Sequence, residues 1–158
     1  EIQAGFSAAQ QKFARQETIT VNDKEIILNL IKNPVGLNQV IDLLHYEEEP
    51  FSVVSILNDR PADGTDVSWI WDGNYEKFLD FDIPKVTVSG IRQKELTLRM
   101  KVASIPEDKL EVDPELSDVI KTIKNAPTKK IYVMATYTAV LQLRKELANQ
   151  GYIAERMK

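Results

Sequence analysis

The chain contains no cysteine and a single histidine, His45. The first absence excludes disulfides, a cysteine-ligated zinc site and a cysteine nucleophile supplied from within. The second excludes a multi-histidine metal site. No apolar run approaches the ~20 residues that span a bilayer, so no transmembrane segment is expected. Excess positive charge is missing as well: 20 Lys and Arg against 24 Asp and Glu leave a net charge of -4. A nucleic-acid surface requires a basic stripe, so no nucleic-acid partner is expected. No G-x-x-x-x-G-K-[ST] loop and no G-x-G-x-x-G turn is present, which removes the usual backbone cradle for nucleotide phosphates. The first residue is Glu, with no charged n-region and apolar h-region behind it. We therefore read an excised domain of a cytoplasmic protein rather than a secreted one.

What remains is ordinary globular material, with 43% hydrophobic and 28% charged residues in a chain of 158. Such a length buries roughly 70% of the surface exposed by the unfolded chain, so residues 1–158 are expected to form a single domain. Asn22-Asp23 between two β-branched stretches reads as a hairpin turn, since both residues tolerate positive φ. After Asn33-Pro34, the spacing of Leu37, Val40, Ile41 and Leu44 predicts a helix reaching about residue 47, stopped by Glu47–Glu49 and Pro50. FSVVSIL is a continuous apolar run suited to a central parallel strand. NDRPADGTD gathers turn formers and predicts a chain reversal between Pro61 and Asp66. KVTVSG and KKIYVMATY read as further strands, and PELSDVIKTIKNAP as an amphipathic helix. The last helix, TAVLQLRKELANQ, is closed by Gly151, with Thr138 as a candidate cap. QKELTLRMKVAS fits either a strand or a helix, and periodicity alone leaves residues 93–104 open. Strands alternating with helices imply a mostly parallel sheet covered on both faces. Any site then falls at the carboxyl ends of the strands: Asn33-Pro34, Asn58–Asp66, Ser89–Arg92 and Thr136-Tyr137.

Few residues there point to chemistry by themselves. Asp59, Asp63 and Gly64 have calcium-loop spacing, but Pro61 and Ile70 occupy two positions that such a loop needs as ligands. Asp72 and Glu76, like Glu47–Glu49, read as solvated carboxylates. The basic run Lys121, Lys124, Lys129 and Lys130 reads as a solvated helix end and the loop after it. His45 reads as a residue at the edge of the first helix near its C-terminus. Trp69 and Trp71 alternate about Ile70, which places both on one side of an extended segment, in a core or an interface. Arg92 beside Gly90 at a strand end is suited to an anion. Asp66 reads either as a turn former satisfying backbone N–H groups or as a carboxylate presented outward.

The segments FARQETITVNDKEIILNLIKNPVGLNQVIDLL, LNDRPADGTDVSWIWD, VTVSGIRQKELTLRMKVASI and ATYTAVLQLRKEL, in that order, resemble the C-terminal domain of the MurT family. These are the ligase-like subunits of bacterial lipid II isoglutaminyl synthase. The first segment also resembles the wider Mur ligase C-terminal domain, where a strand ends in a His-Asn-Pro motif ahead of a helix. Here Lys32, Asn33 and Pro34 stand at those positions, lysine replacing histidine.

The resemblance implies a Rossmann-like α/β fold, mostly parallel and flanked by helices, with an N-terminal β-hairpin. It implies a partner, a GatD-type glutaminase, and a joint reaction that amidates the α-carboxylate of D-glutamate in the stem peptide of lipid II. ATP and Mg would be bound mainly by the family's middle domain, which activates that carboxylate as an acyl phosphate, while the partner's cysteine releases ammonia from glutamine. The cysteine-ligated zinc of that middle domain has no counterpart in this chain. This domain would close over the nucleotide, with Asn33 nearby. It would dock the glutaminase through Asp63, Asp66, Trp69 and Trp71, and lend Asp66 to the partner's Cys-His pair. Asp63→Asn and Asp72→Asn are then expected to be nearly silent controls. Two other readings are a non-catalytic α/β interaction module and a complete small-molecule-binding protein; the missing Gly-rich loop weakens the latter.

Overall fold

The computed structural model describes residues 16–154. Strands β1 (Gln16–Val21) and β2 (Lys24–Leu30) form the expected hairpin, with Asn22 in the left-handed region at φ 56°. Helix α1 (Pro34–Leu43) tightens into a 3-10 turn, Leu44–Tyr46, and leads to β3 (Phe51–Ile56). Two further 3-10 turns, Ser68–Asp72 and Tyr75–Asp80, precede β4 (Val86–Ser89). Then follow α2 (Gln93–Val102), β5 (Leu110–Val112), α3 (Leu116–Lys124), β6 (Lys130–Ala135) and α4 (Tyr137–Asn149). The sheet order is β1-β2-β6-β3-β4-β5, with only the β1–β2 pair antiparallel.

Alternating side chains of the central strands build two separate apolar layers. On one face Phe51, Val53, Val86, Val88, Tyr132 and Met134 pack under α1, α2 and the 3-10 turns. On the other Val54, Ile56, Ile131, Val133 and Ala135 pack under α3 and α4. The successions β3 to β4 and β4 to β5 step toward one edge, whereas α3 returns the chain to insert β6 between β2 and β3. Helix α4 therefore leaves β6 on one face while the connections after β2 and β3 leave on the other, opening a crevice at the carboxyl edge.

The ambiguous stretch is helical because Leu96, Met100 and Ala103 are buried together on the first layer. Strand β5 escaped the sequence reading, being a short edge strand whose Val112 is exposed. SWIWD is not extended. Val67, Ile70 and Gly73 recur at the three-residue period of a 3-10 turn, and hydrogen bonds from Ile70 N to Val67 O and from Gly73 N to Ile70 O close it. A spacing of two in such a turn sends the tryptophans apart. Trp69 packs on the first apolar layer, and Trp71 stays 45% exposed. At the last helix the N-cap is Thr136 rather than Thr138. Gly151, at φ 89°, closes the helix as expected.

Candidate functional site

Asn58, only 3% exposed just beyond β3, ties the carboxyl edge together. Its backbone N–H donates to Thr136 Oγ1 (3.0 Å) and its Nδ2 to Thr138 Oγ1 (3.0 Å), while its Oδ1 accepts from Ile91 N (2.9 Å). The ends of β3, β4 and β6 are thereby fixed relative to one another. Gly90 is obligatory in this junction: it sits at φ 106°, and a Cβ there would lie 2.4 Å from the carbonyl oxygen of Leu57.

Asp63 belongs to the interior rather than to a docking surface, which corrects the sequence-based assignment. It is 6% exposed. Its carboxylate accepts from Thr138 N (2.7 Å), Thr138 Oγ1 (2.6 Å) and Arg60 N (3.0 Å). A carboxylate from the loop after β3 thus takes a free N–H of the first turn of α4, a position favoured by the helix dipole. Sequence spacing could not reveal this, because the acceptor and the helix it caps lie far apart in the chain.

Asp66 lies on the same loop and is exposed. Its Oδ1 accepts from Ser68 N at 2.9 Å, so it does serve the turn. The Ser68 N–H, then the Ser68 hydroxyl and the charge of Arg92 hold its carboxyl below the usual aspartate value. It is therefore ionised at neutral pH. A carboxylate has about four acceptor positions, so binding Ser68 leaves capacity facing solvent. Trp71 lies on the turn that follows, and Arg99 organises that turn. The Arg99 guanidinium lies 5.4 Å from the Trp71 ring centroid and 5.3 Å from that of Tyr75. Its Nε donates to Ile70 O (2.9 Å), and its Nη2 to Gly73 O (2.7 Å). Glu76 is not merely solvated: both of its oxygens accept from Arg99, at 2.9 and 2.8 Å, and this pairing lowers its pKa. With the helix chosen for residues 93–102, Arg99 falls on the Leu96–Met100–Ala103 face, and that anomaly is the signal that could have singled it out.

Arg92 is not free for an anion, since Asp59 (2.9 Å) and Glu95 (2.7 Å) take its guanidinium. Lys130 likewise departs from the solvated reading, donating to Glu47 at 3.0 Å alongside the Tyr132 hydroxyl. His45 is exposed just past α1, with its ring edge-on to Phe81 at 4.8 Å.

Asn33 is the N-cap of α1, and its Oδ1 accepts from Gly36 N at 2.8 Å. Pro34 at the first helical position has no N–H, so this turn offers a phosphate at most the N–H of Val35. The first turn of α4 already holds the carboxylate of Asp63. The residues described here do not fit a nucleotide cradle, and no chemical step is assigned to a nucleotide on this chain. Among them no group of three His, Cys, Asp or Glu could hold a metal, and no helix is long and apolar enough to cross a membrane. A cavity of about 490 Å³ with a mixed polar and apolar lining opens beyond β3 and β4, lined in part by Asn58, Arg60, Gln93, Glu115, Lys145 and Glu146; neither Asp66 nor either tryptophan lines it.

The architecture recurs in solved structures. Folylpolyglutamate synthase from Thermotoga maritima matches with a TM-score of 0.58 at 21% identity, over 88% of this chain and 31% of that one. UDP-N-acetylmuramoyl-L-alanyl-D-glutamate–2,6-diaminopimelate ligase matches with a TM-score of 0.53 at 15% identity, over 88% and 32%. The fold is that of the C-terminal domains of Mur ligases and folylpolyglutamate synthase. More narrowly, the chain belongs to the MurT ligase C-terminal family, whose pattern matches residues 30–140. It is 42% identical over 156 residues to the lipid II isoglutaminyl synthase (glutamine-hydrolysing) subunit MurT of Streptococcus pneumoniae, covering 99% of this chain and 35% of that protein. The Staphylococcus aureus subunit of the same name is 36% identical over 104 residues, covering 66% of this chain and 24% of that protein.

Proposed function

We propose that this chain acts as the glutaminase-docking domain of a cytoplasmic lipid II isoglutaminyl synthase, and that Asp66 completes the partner's Cys-His pair. The complete enzyme would use ATP and Mg, bound mainly outside this domain, and ammonia from glutamine to amidate the α-carboxylate of D-glutamate in lipid II. Asn33, at the carboxyl end of β2, would face the nucleotide site as the domain closes. The reading is carried by the exposed, ionised carboxylate of Asp66, on a loop pinned through Asp63 and followed by a turn that bears the exposed Trp71, in a MurT-family domain without a thiol. In such a triad the carboxylate accepts from the imidazole N–H, fixes its tautomer and stabilises its charged form. Asp66 has the acceptor capacity for that role. Trp71, rather than Trp69, is the aromatic anchor available to a partner.

The test is Asp66→Asn in the assembled two-subunit enzyme. Glutamine hydrolysis should fall by roughly a hundredfold or more, less than the ~10⁴ seen for a serine triad because a thiol is intrinsically more nucleophilic. Asp72→Asn is the silent control, since Asp72 is exposed. Asp63→Asn is unsuitable as a control, because Asp63 holds the loop and α4 together. A wild-type rate in the assembled Asp66→Asn enzyme removes the carboxylate from the chemistry and favours a pure interaction module.

A further inference from the structure

We infer that Arg99 is a positioning residue for the docking edge, holding the Ile70–Glu76 stretch so that Trp71 meets the partner preformed. The inference rests on the reading that this edge faces the glutaminase. Arg99 is 3% exposed, on the helix face that also buries Leu96 and Met100. A guanidinium in such a place is costly unless its N–H groups are matched. Here its donors go to Ile70 O, Gly73 O and both Glu76 oxygens, and its central carbon lies 5.4 Å from the Trp71 ring centroid and 5.3 Å from that of Tyr75. All of these partners belong to one short stretch.

Simple filling of the core does not call for this arrangement. A leucine or methionine would pack against Leu96 and Met100 without desolvating a charge, so the guanidinium's distinctive contribution is the conformation it imposes. Of the two rings near the guanidinium, Tyr75 is buried at 2% exposure and Trp71 is 45% exposed. An exposed tryptophan otherwise samples several rotamers, and ordering it during association costs affinity. The constraint extends upstream, because Ile70 N donates to Val67 O (3.1 Å) and Ser68 N donates to Asp66 Oδ1 (2.9 Å). Arg99 thus sets the frame of the loop end that bears Asp66 without touching any reacting atom.

A double-mutant cycle in the complete polypeptide separates this role from bulk stability. Affinity for the glutaminase subunit is measured by titration calorimetry for Arg99→Lys, Trp71→Ala and the pair, with thermal unfolding to confirm that each variant folds. Lysine keeps the charge but loses the planar fork. Arg99→Lys should weaken binding about tenfold alone and less than about twofold in the Trp71→Ala background, since coupled residues are non-additive. Equal losses in both backgrounds, or no loss in either, overturn the inference and leave the docking reading standing. An unchanged affinity for Trp71→Ala alone overturns the docking reading and the inference with it. If Arg99→Lys does not fold, Glu76→Gln replaces it and is judged by the same criteria. That variant retains the bonds from Arg99 to Ile70 and Gly73.

Discussion

Asp63 and Asp66 are separated by two residues, yet the chain uses them oppositely. Asp63 points inward and binds the first turn of α4; Asp66 stays outside with Ser68 as its partner. Asparagine at position 63 would keep the shape but turn its N–H₂ either toward the Thr138 N–H or toward the Arg60 N–H and the Thr138 hydroxyl, leaving a buried donor without an acceptor. We expect Asp63→Asn to lower stability by about 1–3 kcal/mol, read by chemical denaturation. Stability within ~0.5 kcal/mol of wild type would show that the loop closes without this carboxylate.

The clamp between α2 and the 3-10 turns should respond to acid. Pairing with Arg99 lowers the pKa of Glu76 in the folded chain. A depressed carboxylate contributes stability above its unfolded value, ~4.3 for glutamate, and loses it as pH falls through the folded value. The difference in melting temperature between wild type and Glu76→Gln should therefore be present at pH 7 and shrink below about pH 4, where the wild-type carboxyl is protonated. A difference that grows on acidification would reverse the sign and count against the ion pair. The same elements show how local pattern misled: Trp69-Ile70-Trp71 has strand-like alternation, but the three-residue recurrence of Val67, Ile70 and Gly73 decides the geometry. Gly73 also lets the turn approach α1, for a Cβ there would lie 2.4 Å from Leu37 Cδ2.

For the whole molecule, the sheet divides the interior into two layers that share strands but not side chains. Ile41 and Ile123, at 0% and 1% exposure, lie on opposite faces. Ile41→Val and Ile123→Val should each cost about 0.5–1.5 kcal/mol. Measured by urea denaturation, their sum should hold within about 0.5 kcal/mol in the double variant, as expected for sites without shared partners. A larger coupling would mean that the layers adjust to one another through the sheet.

The class of fold was legible from the sequence because it follows from local order. Apolar runs at β3 and β6, helical spacing in α1 and α3, the Asn22 turn and the Gly151 stop each act within a few residues, and their alternation implies a covered parallel sheet. The absence of a thiol and of a phosphate loop was likewise fixed by composition and bears on any chemistry proposed for the chain. The sequence also marked Asn58–Asp66 as one of four strand ends where a site could fall, and the resemblance to the MurT family singled out Asp66 among them. The division of labour among Asp63, Asp66 and Trp71 belongs to the tertiary structure. Asp63 is buried because α4 delivers the N–H of Thr138 to it from 75 positions away. Trp71 is held because α2 delivers Arg99, whereas among the described residues no distant element covers Asp66. Local propensity can identify a carboxylate or an indole in a loop, but only packing between elements remote in sequence determines which of them faces solvent.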